Sequence, residues 1–150
     1  MAPPQRPPDH QTPNMRFWLE PPDLIYIAGR GELVAEDMTG AAAFYDEHIR
    51  DWPYLLLIGD QTEQKGTRAE ARKVAAKAFD WVPFRGIALI GGSILDRTVG
   101  KMILTLINSI SKKDNPVVFV KSEEEARAWI EERRRELIAK GDFPQKTPKG

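Results

Sequence analysis

The sequence predicts an α/β fold: a five-stranded, mostly parallel sheet with an N-terminal β-hairpin, flanked by four helices in the order β-β-α-β-α-β-α-β-α. Three observations lead there. Short apolar runs alternate with segments of helical periodicity between residues 16 and 139. The later strands are each separated by a helix-length stretch, which imposes crossovers and hence parallel pairing. The first two strands are joined by Pro21-Pro22-Asp23, a turn of hairpin length.

Residues 16–20 and 24–28 form that hairpin. After Gly29-Arg30-Gly31 the period changes to 3.6, with Met38, Ala41, Ala42, Tyr45, His48, Ile49 and Trp52 on one side of a first helix that Pro53 ends. Tyr54 to Ile58 is a continuous apolar run closed by Gly59-Asp60, the pattern of a strand covered on both faces. Thr67 opens the second helix, and Thr67-Arg-Ala-Glu70 has the form of a capping box. Gly86 to Ile90 is the next strand. Ser93-Ile-Leu-Asp96 starts a mostly aliphatic helix to about Ile110, Val117 to Val120 is the last strand, and Ser122-Glu-Glu-Glu125 caps the last helix. That helix begins with glutamates and carries Arg133, Arg134, Arg135 and Lys140 toward its end, complementing the helix dipole.

The 150 residues suit one domain, expected over 16–140. Residues 1–15, with five prolines and little to bury, read as a disordered tail, and 141–150 as another. Twenty-two basic residues balance twenty-two acidic ones, so no global field favours nucleic acid. The absence of cysteine excludes disulfides, thiolate metal sites and a cysteine nucleophile. Neither a secretory h-region nor an apolar run long enough to span a bilayer is present, which reads as a cytoplasmic chain.

The opening hairpin, the strand-plus-aspartate Leu55-Leu-Leu-Ile-Gly-Asp60, the Gly86-Ile-Ala-Leu-Ile-Gly91 strand and the close Val117-Val-Phe-Val-Lys-Ser-Glu-Glu-Glu-Ala-Arg-Ala-Trp-Ile130 resemble the SpoIIAA-like, STAS and Sec14-type family of small bacterial domains. The likeness covers roughly residues 16–139. It implies a non-enzymatic domain: one resembling anti-sigma-factor antagonists, which bind a protein partner and are switched by phosphorylation, or one that holds a hydrophobic small molecule. The Asp-Ser-Ser/Thr-Gly motif of the phosphorylated members is missing. Asp60-Gln-Thr-Glu-Gln-Lys-Gly-Thr67 stands in its place, leaving Thr67 and Thr62 as candidate phospho-acceptors. Thr67 also reads simply as a helix cap.

The remaining candidates follow from position. In open α/β sheets ligands lie outside the carboxyl ends of the strands, which gathers Asp60, Gln61, Gly91, Gly92 and Ser93 with residues 28–31. Gly29-Arg30-Gly31 lacks the third glycine of a dinucleotide fingerprint, and Gly91-Gly92-Ser93 lacks the lysine of a phosphate loop. His48 reads as a packed or half-exposed histidine and His10 as a solvated tail residue; no metal ligand set, cofactor or catalytic residue is expected. Between Thr98 and Ile110 seven of thirteen positions are apolar and Lys101 is the one charge. Val99, Ile103, Leu104 and Ile107 therefore belong either to a buried core helix or to an exposed surface suited to a protein partner, a second copy or an apolar ligand. The leading expectation is a non-enzymatic signalling domain that binds protein through its strand-end loops and this helix. The alternative, a carrier or sensor of a hydrophobic small molecule, requires an apolar cavity.

Overall fold

The computed structural model describes residues 4–91 and 114–144. They form a six-stranded sheet in the order β1-β2-β3-β4-β5-β6. The strands are β1 (His10–Gln11), β2 (Met15–Glu20), β3 (Leu24–Leu33), β4 (Leu55–Thr67), β5 (Phe84–Ile90) and β6 (Val117–Val120). The helices are α1 (Ala35–His48), α2 (Ala69–Ala78) and α3 (Glu123–Ala139). β1, β2 and β3 pair antiparallel, and β3 through β6 pair parallel. The helix expected from Ser93 to Ile110, with Gly92, Ser93, Val99, Ile103, Leu104 and Ile107, lies outside the described residues.

Strand alternation divides the interior into two cores. Ile25, Ile27, Leu55, Leu57, Ile87 and Leu89 face α1 and α2. Tyr26, Leu56, Ile58, Ala88 and Ile90 face the opposite way and meet Ala126, Ile130 and Leu137 of α3. The four-residue run Leu55 to Ile58 thus supplies two side chains to each core, as its unbroken apolarity requires, and each such burial contributes roughly 1.5–3 kcal/mol.

Two expectations change. The extra strand comes from the proline-rich start, which was expected to be a loose tail. His10 pairs with Phe17 and Gln11 with Arg16, while the Trp18 indole donates to the Arg6 carbonyl at 2.8 Å. The anchor is Asp37 in the first turn of α1: it is buried and accepts from Thr12 Oγ1 (2.6 Å), the Asn14 backbone (2.8 Å), Asn14 Nδ2 (2.9 Å) and the Val34 backbone (2.8 Å). Gly40 is needed beneath this segment, since a Cβ there would stand 2.4 Å from Thr12 Cγ2. Polar hydrogen bonding, rather than apolar burial, holds the segment, and a reading from hydrophobicity therefore passes over it.

The second change concerns β4, which does not stop at Asp60 but continues to Thr67 alongside Arg30–Leu33 of a lengthened β3. Register shifts between Ala28 and Arg30 and between Gly31 and Glu32 accommodate extra residues on β4. Thr67 is consequently the last residue of a strand. Arg68 is the N-cap of α2 and makes no side-chain capping bond. The expected cap at Ser122 does form: Ser122 Oγ accepts from Glu125 N at 3.1 Å, and the Glu125 carboxylate accepts from the Lys121 backbone at 3.1 Å, one residue before the N–H that a full capping box uses.

Charges on α3 tie the helix to the sheet instead of forming only a solvated face. Arg127 makes a two-pronged pair with Glu20 at 2.9 Å. Arg133, 3% exposed, donates to the Arg85 carbonyl at 2.6 Å and to Asp114. Arg134 binds Asp23 at 2.6 Å, deep in the second core, where Tyr54 also donates to Asp23. Arg135 stays at the surface with Glu132, so the three consecutive arginines splay rather than make a patch.

Candidate functional site

The positions expected to meet do so, beside the carboxyl end of β5 and midway along the lengthened β3 and β4. Ala28 pairs with Asp60, Asp60 pairs with Ile90, and Gly91 follows directly. Gly91 has φ +70°, a conformation that disfavours a side chain, and a Cβ there would stand 2.7 Å from Thr62 Cγ2. Asp60, Gln61, Thr62 and Gly91 are therefore one cluster.

Within it Asp60 has a structural occupation. Its carboxylate accepts from Thr62 Oγ1 at 2.7 Å, from the Thr62 backbone at 3.0 Å and from the Tyr26 hydroxyl at 3.4 Å. Burial, together with the carboxylates of Asp60 and Glu123, pushes the Tyr26 phenol well above its ordinary range, so it remains a proton donor. Tyr26 belongs to the α3-side core, which orients the acid away from α1 and α2. Thr62 is exposed, but its hydroxyl is directed at Asp60, and a phosphate on it would stand against that carboxylate. Thr67 Oγ1 accepts only a long 3.4 Å bond from Gln64, while its carbonyl is bound by Arg72 at 2.6 Å; it does not occupy the helix-start position that would favour a phosphate.

On the other face of the same strands lies a cavity of about 150 Å³ between the sheet and helices α1 and α2. Ile27, Leu57 and Leu89 form its sheet wall, Met38, Tyr45, Ala75 and Phe79 its helix wall. Gly29 and Gly59 leave bare backbone on this face, with Gln64 Oε1 and a Leu89 methyl leaning over them; a Cβ would stand 2.8 Å from each. Gln61, Gln64 and Thr67 make a polar rim at the strand ends, and Gln61 Oε1 is buried without a hydrogen-bond partner. Gly29 and Gly59, where the same faces of β3 and β4 earlier carry Ile and Leu, mark this hollow only once the two strands are known to be neighbours.

Both histidines pack against aromatic rings. His48 lies 4.6 Å from the Phe44 ring at the helix end, and His10, expected in solvent, stacks on Phe44 at 5.3 Å and packs against Phe17 at 5.4 Å. Among the described residues no group of His, Cys, Asp and Glu could hold a metal ion, and no helix is long and apolar enough to cross a membrane.

A mixed sheet with a leading antiparallel hairpin, helices on both faces and an apolar hollow beside the strands defines a small α/β domain. Comparison with solved structures gives its class: the fold is SpoIIAA-like. A crystal structure of an uncharacterized protein from the DUF3478 family with a SpoIIAA-like fold, from Shewanella loihica PV-4, matches with TM-score 0.55 at 14% identity, covering 81% of this chain and 96% of that one. The fold expected from the sequence is thereby met. No protein-family model matches the chain, and no curated protein does.

Proposed function

We propose that this SpoIIAA-like domain is a non-enzymatic module that holds a small apolar molecule between its sheet and helices α1 and α2. The observation that carries the reading is the cavity itself: about 150 Å³, walled mainly by apolar and aromatic side chains, with polar groups confined to the strand-end rim. An enclosed cavity of about this volume lined by Leu, Ile and Phe admits benzene-sized molecules, and the inner wall here, with Ile27, Leu57, Phe79 and Leu89, is of that kind. The rim supports binding rather than chemistry, because Asp60, the one carboxylate among the described lining residues, is already engaged by Tyr26 and Thr62 and turned away from the hollow.

Protein binding through the strand ends, the other expectation, relied on the aliphatic stretch from Val99 to Ile107, outside the described residues. Gentle native mass spectrometry of the protein isolated from its own host separates the two readings. A small noncovalent adduct is expected on the wild type and not on Ala75→Leu, which fills the hollow. A second polypeptide with no small adduct would replace ligand holding by an adaptor role.

A further inference from the structure

The chain has three tyrosines, all buried, and two of them give their hydroxyls to carboxylates: Tyr26 to Asp60 and Tyr54 to Asp23. The third, Tyr45 on α1, is 2% exposed and lines the cavity. Its ring packs edge-on against Phe79 at 5.2 Å and Phe84 at 6.1 Å. Among the described residues no hydrogen bond reaches its hydroxyl. The oxygen is not among the fully sealed unpaired atoms, so a water-sized group can reach it, and it is free to bond an occupant rather than a protein group.

We propose that the Tyr45 hydroxyl is the polar anchor for a neutral, single-ring aromatic ligand carrying one hydroxyl group. This rests on the ligand-holding reading above and adds the chemistry of the occupant. Size follows from the cavity, whose volume of about 150 Å³ matches one ring. Aromatic character follows from the wall: the rings of Tyr45, Phe79 and Phe84 offer edge and face contacts, and the thioethers of Met15 and Met38 favour aromatic neighbours. Neutrality follows from charge. Among the described lining residues Asp60 is the one ionisable acid or base apart from Tyr45, and its carboxylate is turned to Tyr26 and Thr62, so none of them offers a charged ligand a counter-ion. A ligand hydroxyl completes the hydrogen bond that Tyr45 lacks, and the orphaned Gln61 Oε1 at the rim adds a second acceptor in the same wall.

The test is an amide-detected NMR titration of the full chain with phenol and with toluene, which match in size and differ in the hydroxyl. It is run on the wild type, Tyr45→Phe, Ala75→Leu and Leu57→Phe. Tyr45→Phe removes no bond within the protein and is expected to fold normally. It should weaken phenol about 3- to 10-fold, the effect of one neutral hydrogen bond, and leave toluene unchanged. The two cavity-filling variants should lose both solutes. If toluene binds and Tyr45→Phe leaves phenol affinity unchanged, or weakens both equally, the anchor is wrong while the cavity reading stands. If the wild type binds neither solute, the ligand-holding reading itself fails and the anchor falls with it.

Discussion

Asp37 shows how one side chain can organise a segment that composition marks as loose. Its burial works to raise its pKa, but the hydrogen bonds from Thr12, Val34 and Asn14 outweigh that effect and hold it below the usual carboxylate value. A carboxylate whose pKa is lower folded than unfolded contributes stability that is complete above its unfolded pKa, about 3.9, and is lost as pH falls through the folded value. The contribution of Asp37 should therefore disappear in the acid range below about pH 4 and be constant at neutral pH. Asp37→Ala leaves several donors unpaired and is expected to cost about 2–3 kcal/mol at pH 7, with a smaller difference from wild type at pH 2–3; urea unfolding at the two pH values checks it. An equal loss at both would show that packing, not ionisation, carries the effect. The sequence contained Asp37 in plain view, but its partners Thr12 and Asn14 lie more than twenty positions away, and periodicity carries no information on such polar contacts.

At the scale of elements, the strands and helices with strong internal signals were legible and those set by pairing were not. The apolar run at Leu55 to Ile58 and the cap at Ser122 read directly from local sequence, and both are present. The extension of β4 through polar residues to Thr67 depends on backbone bonding to β3, whose partner residues the side-chain pattern of 61–67 does not announce. The resemblance of Thr67-Arg-Ala-Glu70 to a capping box was accordingly misleading, because a strand had already claimed Thr67. The contrast is measurable. Ser122→Ala is expected to cost about 1 kcal/mol through loss of a true cap, and Thr67→Ala less than about 0.5 kcal/mol. Equal losses in chemical denaturation would restore Thr67 as a helix cap.

For the molecule as a whole, the order of elements led from sequence to a SpoIIAA-like fold, because hairpin and crossover constraints leave few topologies open. The strand-end cluster of Asp60, Gln61 and Gly91 was legible for the same reason. The cavity was not, since it arises where Gly29 and Gly59 on the sheet and Ala75 on the facing helix α2, far apart in the chain, are all small. The two faces of the same strands thus differ: ionic and tyrosyl bonds add to the apolar packing of α3 on one, and the apolar core shared with α1 and α2 on the other contains a hollow. Crystals of the protein pressurised with xenon examine that hollow directly, because xenon enters dry apolar cavities and leaves polar, hydrated ones. The account predicts a xenon peak among Tyr45, Leu57 and Phe79 that Ala75→Leu abolishes. Ordered water filling the same space, or a wall collapsed so that no xenon enters, would contradict it.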